Sequence, residues 1–380
     1  MGSGKFVRAM GTRPVAVWSA AVVIALCALV YLLKAVPGQE LPQEEAIARG
    51  PRPYTNQDVS FNNDRARVKL AGTFSVPNGQ GPFPAVLLIA ASGPEGRDEN
   101  ADGHLVFVVL ADHLLRQGVA VLRYDKRGVG ASTGDFDKAT FDDMVSDAAA
   151  AFRYLRSRPE VDPHRVGVIG HSEGGSIGPA VAVTDKDVAF VVAMAGSGLS
   201  GEFRITEHWV YVAEEGGASP EQQAKVRAMG QQIFRLVAAT SDDATASRRI
   251  AALVDAAVAD KSLNNGEAAD IRRLMTPQFV RMELNDYPVR YLKKVSVPVL
   301  ALVGSLDHTV PAGPYAEVMR PVLETIPGSK LEVLPGLNHL MQTAQPGSPR
   351  ESGSSKESIS PLALRAIGDW TAEQVRRPRN

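Results

Sequence analysis

Residues 165–180 read RVGVIGHSEGGSIGPA, and the rest of the fold prediction builds outward from them. Val166, Val168 and Ile169 form a short apolar run that predicts a buried strand. The G-x-S-x-G centred on Ser172, followed by small residues, is typical of a sharp strand-to-helix turn, the nucleophile elbow. Glycines on both sides of the serine leave room for neighbouring backbone. The pattern predicts that the Ser172 hydroxyl stands clear of the sheet at a helix N-terminus, which favours negative charge.

Continuous apolar runs predict the other strands of a sheet. They occupy residues 83–90, 119–124, 188–195, 297–303 and 330–334, and amphipathic helices are predicted at 105–117, from 140 onward and at 361–375. Alternation over 57–76 predicts an antiparallel hairpin with its turn at 62–64. Because the runs are apolar throughout and are separated by helices, they indicate an α/β fold with a mostly parallel central sheet covered by helices on both faces.

One long interval, between the predicted strands that end at 195 and begin at 297, carries no strand pattern. Ser219-Pro220 and Thr276-Pro277 within it have the cap-then-proline pattern of helix starts. We therefore predict a helical cap over the site at about residues 199–292. It would be inserted in an α/β domain that spans residues 54–380.

The N-terminal part of the chain predicts a membrane segment. Residues 15–33 are almost unbroken apolar sequence, and as a helix they would span about 28 Å, close to the ~30 Å hydrocarbon core of a bilayer. Basic residues are concentrated before this run, which predicts a cytoplasmic tail and transmembrane helix within 1–34 and a domain outside the cytoplasm, periplasmic or extracellular. The alternative is a cleaved signal peptide and secretion, although no A-x-A-like site follows the run. Residues 35–53 are predicted to be a linker.

Composition excludes several classes of protein. The 380 residues carry a formal net charge of -1, which gives no electrostatic case for nucleic-acid binding. A single cysteine, Cys27, excludes an intramolecular disulfide. No group of His, Cys and Asp residues has metal-ligand spacing, so we expect neither a metal nor another cofactor.

A serine hydroxyl needs a base to remove its proton, and the base needs an orienting carboxylate. In the elbow architecture these groups follow the serine in the order acid, then histidine. Asp307 follows the predicted strand at 297–303, and His339 follows the one at 330–334. Both lie at carboxyl ends of parallel strands, where ligand sites of such sheets form. We predict Ser172 as nucleophile, His339 as base and Asp307 as acid, with a turn-capping role as the alternative for Asp307.

Other histidines compete with His339 for the role of base. His308 neighbours the acid, but its side chain should point away from the line that joins acid and serine. His171 flanks the nucleophile and is expected to pack or to form a hydrogen bond there. Surface or capping roles are expected for the remaining candidates, which are His104, His113, His164 and His208.

Two backbone donors are needed for the negative charge that develops on the attacked oxygen. The N–H group of Glu173, directly after the nucleophile, is one candidate, and the loop after the strand at 83–90 should supply the other. Within that loop we predict the N–H group of Ser92, with an ordinary turn at 92–94 as the alternative. Asp125 and Arg127 are predicted to form an ion pair that braces the neighbouring loop.

Four segments together resemble the bacterial α/β-hydrolase-fold serine esterases, in the group related to dienelactone hydrolases and serine aminopeptidases. They are GHSEG at 170–174, SGPEGRD at 92–98, LRYDKRGVGAS at 122–132 and GLNH at 336–339. The resemblance extends from about residue 54 to the C-terminus. It implies an α/β-hydrolase fold and hydrolysis of carboxylic esters of small acyl substrates through a Ser-His-Asp triad. Dienelactone hydrolases proper use cysteine where this chain has Ser172, and Ala91 stands where a glycine is usual.

The combined expectation is a membrane-anchored serine hydrolase that cleaves small acyl esters through an acyl-enzyme. A peptidase, a thioesterase or an acyltransferase on the same fold stays open, because the cap sets substrate choice. A catalytically silent binding protein on this scaffold is the alternative from another class.

Overall fold

The computed structural model describes residues 42–101, 103–196, 198–285, 289–344 and 356–377. The account below concerns the compact unit that begins at Pro42. The predicted tail and membrane segment within 1–34 lie outside the described residues. Among the residues that are described, no helix combines the length and the apolar character needed to cross a bilayer.

Within these ranges, an eight-stranded sheet forms the centre of the unit. The described residues form these strands, of which β4 and β5 lie outside the large sheet: β1 (Tyr54–Asn63), β2 (Val68–Pro77), β3 (Phe83–Ile89), β4 (Asn100–Ala101), β5 (His104–Leu105), β6 (Ala120–Tyr124), β7 (Val161–His171), β8 (Val191–Met194), β9 (Val299–Gly304) and β10 (Lys330–Leu334). The large sheet has the order β1-β2-β6-β3-β7-β8-β9-β10, and β4 pairs only with β5. Strands β1 and β2 are antiparallel to their neighbours, whereas the strands from β6 to β10 in that order run parallel. The predicted α/β class with a mostly parallel sheet is confirmed.

The turn of the β1–β2 hairpin lies later than the predicted 62–64. Asn63 still pairs with Val68 in the ladder, so the turn falls at residues 64–67, with Arg67 at φ 54°. The side chain of Asn63 is buried and donates to the Asp147 carboxylate at 2.7 Å. This tertiary contact holds Asn63 in the strand, although its intrinsic preference is for turns.

Helices cover both faces of the sheet. They are α1 (Gln43–Arg49), α2 (Val106–Arg116), α3 (Phe141–Arg156), α4 (Glu173–Thr184), α5 (Gly201–Glu215), α6 (Pro220–Ala239), α7 (Asp243–Ala259), α8 (Asn265–Leu274), α9 (Pro277–Asn285), α10 (Val289–Leu292), α11 (Ala312–Leu323) and α12 (Pro361–Arg376). Alternation along β3 separates two cores, because Leu87 and Ile89 pack with α3 and α4 while Val86 and Leu88 pack with α2 and α12. A strand buried on both faces explains the continuous apolar runs in the sequence.

Helices α5 to α10 occupy the interval predicted for the cap. Helices α5 to α9 share an apolar core of their own, with Ile233, Phe234 and Val254 among its most buried members. Leu292 of α10 instead belongs to the core that contains α3 and α4. Helix α6 begins where the sequence predicts, because Ser219 and Gln222 form a capping box ahead of Pro220. A separate core lets these helices form a layer distinct from the sheet and its covering helices.

Part of the segment predicted as a linker is helical. In α1, the Gln43 amide donates to the Ile359 carbonyl at 2.9 Å, and the Glu44 carboxylate accepts from the Leu105 N–H group at 2.9 Å. Ile47 packs against the core beneath. Helix α1 therefore packs against the domain predicted to begin at residue 54.

The turn between β7 and α4 is possible only because glycines permit very close backbone contacts. A Cβ atom on Gly170 would lie 2.0 Å from the Gly174 carbonyl oxygen, and one on Gly174 would lie 2.0 Å from the Ile89 carbonyl oxygen. Between them Ser172 has φ 53° and ψ -114°, a conformation that costs about 1–3 kcal/mol. Its N–H group donates to the Met194 carbonyl at 2.8 Å, which ties the turn to β8.

Gly174→Ala should destabilise the protein by about 3 kcal/mol or more, because the added methyl group would collide with the Ile89 carbonyl. Urea unfolding of both proteins measures the change. Gly178→Ala in the same helix is the matched control, since its Cβ would approach only the Val191 and Val168 methyl groups at 3.3 and 3.4 Å. The control should change stability by no more than about 1 kcal/mol. Equal effects of the two substitutions would contradict the packing argument.

Candidate active site

Ser172, Asp307 and His339 come together at the carboxyl ends of three parallel strands. Ser172 ends the turn after β7, while Asp307 follows β9 and His339 follows β10. The His339 Nε2 atom lies 3.0 Å from the Ser172 Oγ atom. The His339 Nδ1 atom lies 2.9 Å from the Asp307 Oδ2 atom. The three side chains predicted as nucleophile, base and acid are therefore within hydrogen-bonding distance in that order.

Hydrogen-bond chemistry defines what this arrangement can do. A carboxylate only accepts, so the Nδ1–H group of His339 donates to Asp307 and its Nε2 atom is left as an acceptor for the Ser172 hydroxyl. The other oxygen of Asp307 accepts from the Val310 N–H group at 2.6 Å, which fixes the carboxylate. Asp307 is buried, whereas the His339 side chain keeps 13% of its surface exposed. The imidazole is thus oriented to take a proton from the serine.

The loops that carry Asp307 and His339 are joined to each other. The Ser305 N–H group donates to the Leu334 carbonyl at 2.8 Å, and the Leu306 N–H group donates to the Leu337 carbonyl at 2.9 Å. A Cβ atom on Gly304 would lie only 2.1 Å from the Leu337 carbonyl oxygen. Glycine at that position allows the two loops to pack backbone against backbone.

The two backbone N–H groups predicted to bind the developing negative charge, the oxyanion, lie in different surroundings. Glu173 is the first residue of α4, and the first N–H groups of a helix have no partner within the helix. Ser92 is exposed in the loop after β3. The Lys126 ammonium contacts a residue next to each of them. It binds the carbonyl oxygen of Ala91, which precedes Ser92, and lies 2.7 Å from a carboxylate oxygen of Glu173 itself.

The predicted ion pair between Asp125 and Arg127 is wrong. Asp125 instead accepts from the Arg97 guanidinium at 3.0 and 2.6 Å, and Arg127 binds Asp147 at 2.7 and 2.9 Å. Burial raises the pKa of Asp125, but the hydrogen bonds from Arg97 outweigh it and hold that pKa below its usual range. Both residues lie beyond the end of β6, and each pairs with a side chain from another segment, Arg97 in the loop after β3 and Asp147 in α3.

His171 packs beside the three side chains, as the sequence predicts, and forms two hydrogen bonds. Its Nε2–H group donates to the His339 carbonyl oxygen at 2.9 Å, and its Nδ1 atom contacts the Glu99 carboxylate. Both side chains are almost completely buried. Burial lowers the pKa of His171, but Glu99 and the other acceptors outweigh it, and the net pKa is raised. This buried pair therefore fixes the backbone at His339 through the hydrogen bond to its carbonyl oxygen.

Helix α5 of the cap presents polar side chains toward the site. Arg204, His208 and Tyr211 are spaced so that they share one helix face. Tyr211 stacks on His308, the neighbour of Asp307, with ring centroids 3.8 Å apart. Burial is the main cause that lowers the pKa of His208, and the nearby Arg204 cation lowers it further.

The surface or capping role predicted for His208 is wrong, because this side chain is mostly buried and its pKa is affected by charged groups near the site. His308 is held by the cap helix through the Tyr211 stack and does not replace His339. Glu99 and Lys126 were not singled out from the sequence either. Their contacts join distant segments and leave no spacing signal, whereas the shared face of Arg204, His208 and Tyr211 could have been found from helical periodicity.

The fold is the α/β-hydrolase fold, as defined by the strand order of the sheet, the sharp turn at Ser172 and the two loops that carry Asp307 and His339. A family model described as serine aminopeptidase, S33, matches residues 103–344, which is more than half of the chain. The chain belongs to this family. Among solved structures it is similar to Est1E from Butyrivibrio proteoclasticus, with a TM-score of 0.51 and 16% identity, covering 84% of this chain and 100% of that one. It is also similar to a hypothetical protein from Pseudomonas aeruginosa, PA2218, with a TM-score of 0.52 and 18% identity, covering 86% of this chain and 96% of that one.

Two curated relatives match shorter segments. Esterase EstD of Thermotoga maritima is 33% identical over 136 residues, which cover 36% of this chain and 31% of the relative. A putative hydrolase of Bacillus subtilis, YtaP, is 30% identical over 129 residues, which cover 30% of this chain and 43% of the relative. The matches thus span less than half the length of either relative.

Replacing Glu99 by Gln should make stability less dependent on pH. The folded-state pKa of His171 is raised above its ordinary 6.5. Its stabilising contribution is therefore complete below pH 6.5 and is lost as the pH rises through the folded-state value. Removing the carboxylate should cost about 1–3 kcal/mol at pH 6 and less at pH 9. Urea unfolding of Glu99→Gln and of the parent at both pH values measures the difference.

Asp98→Asn is the matched control in the same loop, because the partner of Asp98 is Arg123, which stays charged throughout this range. Its cost should be the same at pH 6 and pH 9. A cost of Glu99→Gln that does not change with pH would contradict the assigned charge on His171.

Proposed function

We propose that the protein is a serine hydrolase that cleaves carboxylic esters of small acyl substrates. The observation that carries the proposal is the pair of contacts made by one imidazole, 3.0 Å to Ser172 and 2.9 Å to Asp307. In the proposed reaction, the Ser172 Oγ atom attacks the ester carbonyl as the His339 Nε2 atom takes its proton. His339 then gives this proton to the leaving alcohol, and an acyl-enzyme remains. Water, activated by the same imidazole, releases the acid.

Asp307 has a positioning and electrostatic role in this proposal. Its carboxylate keeps the imidazole in the tautomer that accepts from serine, and it stabilises the imidazolium that forms. The N–H groups of Glu173 and Ser92 are proposed to bind the oxygen that becomes negative. Loss of one such donor typically reduces the rate by roughly a hundredfold or more.

The ester substrate is supported by the names of similar proteins. One relative is called an esterase, and the structure of Est1E has been described with ferulic acid bound. The family description, serine aminopeptidase, favours a peptidase as the second candidate. A thioesterase and an acyltransferase would use the same three side chains, because each forms an acyl-enzyme and differs in the leaving group or acceptor.

Ser172→Ala should abolish turnover of p-nitrophenyl butyrate and labelling by a fluorophosphonate probe. His339→Gln and Asp307→Asn should lower kcat by roughly a thousandfold or more, because the proton acceptor is lost or its tautomer changes. Initial rates and intact-mass spectra of the labelled protein measure these effects. His164→Gln is the control for a histidine substitution, since His164 is exposed in β7, and it should leave activity unchanged.

An unlabelled parent protein would instead favour the catalytically silent binding protein. If the parent is labelled, matched ester, thioester and aminoacyl p-nitroanilide substrates separate the candidates by kcat/KM. The proposal expects the highest value for the ester, and a higher value for the aminoacyl substrate would replace it with the peptidase.

We further propose that residues 15–33 anchor the protein in a membrane with the hydrolase domain outside the cytoplasm. The length and apolar character of the run support this, and secretion after signal cleavage is the alternative. The full chain should remain in the membrane pellet after alkaline carbonate extraction. Two central charges, Ile24→Lys with Leu26→Lys, should release it, because each costs about 2.5–3.5 kcal/mol in the bilayer centre. A soluble parent protein whose mature N-terminus lies beyond residue 33 would contradict the anchor.

A further inference from the structure

Lys126 connects two segments that are far apart in sequence. It lies two residues after the end of β6, and its ammonium contacts the Ala91 carbonyl oxygen in the loop after β3. The same ammonium lies 2.7 Å from a carboxylate oxygen of Glu173, the first residue of α4. Both charged side chains are buried, with 3% and 8% of their surfaces exposed. A buried lysine is rare unless it is paired, so the position of this ammonium requires both contacts.

The contact with Ala91 determines the direction of the neighbouring N–H group. The Ala91 carbonyl and the Ser92 N–H group belong to one peptide plane, and in a trans peptide they point in opposite directions. Fixing the carbonyl oxygen on Lys126 therefore aims the Ser92 N–H group away from Lys126. A cation on the carbonyl also polarises the peptide and strengthens the N–H group as a donor.

The contact with Glu173 removes an electrostatic conflict. The proposed mechanism uses the backbone N–H group of Glu173 to bind a developing negative charge, yet the same residue carries a carboxylate. The pKa of the nearby Glu283 shows that the Glu173 carboxylate acts on its surroundings. Burial raises the pKa of Glu283 and the Arg204 cation lowers it, while the Glu173 carboxylate raises it further. Without a cation beside it, the Glu173 carboxylate would repel the oxyanion. Lys126 provides that cation inside the fold, where screening by water is weak.

We propose that Lys126 is a positioning residue that orients the Ser92 N–H group and neutralises the Glu173 carboxylate, so that both donors can stabilise an oxyanion. This inference rests on the proposed function and extends it to a residue outside the three side chains. It also gives a role to the Asp125-Lys126-Arg127-Gly128 segment, which links one donor loop to the other through a single ammonium. The effect should appear in the transition state rather than in ground-state binding, because the oxyanion forms only there.

Lys126→Gln and Lys126→Met should lower kcat for p-nitrophenyl butyrate by roughly ten- to a hundredfold, with KM changed by no more than about threefold. The Ki of a trifluoromethyl ketone, which forms a tetrahedral adduct with serine, should rise in parallel with the loss in kcat/KM. Adding Glu173→Gln to Lys126→Gln should recover at least about threefold in kcat, because the uncompensated carboxylate is removed. Lys138→Gln is the matched control, since Lys138 is exposed, and should leave these constants unchanged.

Thermal unfolding establishes that each variant is folded. A folded Lys126→Gln with kcat within about threefold of the parent overturns the proposal, and so does a loss confined to KM with unchanged inhibitor affinity. Failure of Glu173→Gln to recover activity overturns the neutralising role. If the single variants do not fold, the paired apolar replacement Lys126→Met with Glu173→Leu keeps the site neutral and serves as the test. Weaker inhibitor binding at unchanged KM supports the positioning role, and unchanged affinity overturns it.

The parent protein distinguishes this proposal from the function on which it rests. A parent that is neither labelled by the fluorophosphonate nor active on any substrate contradicts the proposed function and removes the basis for Lys126 as well. An active parent whose Lys126 variants are equally active contradicts the role of Lys126 alone.

Discussion

The close backbone contact at the elbow is the constraint on which the site depends. Gly170 and Gly174 face carbonyl groups at a distance that no Cβ atom could accept, and Ser172 between them has a positive φ. The strain of about 1–3 kcal/mol is held by the strands on both sides and by the hydrogen bond from Ser172 to β8. Because β7, β9 and β10 run parallel, their carboxyl ends meet at one edge of the sheet. That edge is where His339 and Asp307 come within reach of the serine.

Several charged side chains in this part of the fold are buried and paired. Lys126 binds Glu173, Arg127 binds Asp147 and His171 binds Glu99. Such pairs contribute little net stability compared with apolar packing, because desolvation offsets most of their attraction. Two of the pairs also fix loop backbones, because Lys126 contacts the Ala91 carbonyl oxygen and His171 donates to the His339 carbonyl oxygen.

The cap is related to the site through a few side chains of α5. Tyr211 stacks on His308 next to Asp307, while Arg204 binds the buried carboxylate of Glu283 at 2.6 Å. His208 lies between them on the same face and has a lowered pKa, so at neutral pH it can donate or accept a hydrogen bond without carrying a charge. The cap thus contacts the segment that carries Asp307 through the Tyr211–His308 stack.

Local sequence determined much of this protein. Apolar runs and helical periodicity predicted the parallel strands and covering helices, and G-x-S-x-G with two late loops predicted Ser172, Asp307 and His339. The fold prediction is confirmed because strand burial and tight turns restrict residue type position by position. The structure brings the three predicted side chains within hydrogen-bonding distance, and their catalytic roles stay a prediction. Only the tertiary structure decided that Asn63 stays in its strand, that Asp125 binds Arg97 rather than Arg127, and that Glu99, Lys126 and His208 belong near the site. Their partners lie on other segments, and a contact between distant segments depends on how the chain packs, which no local pattern records.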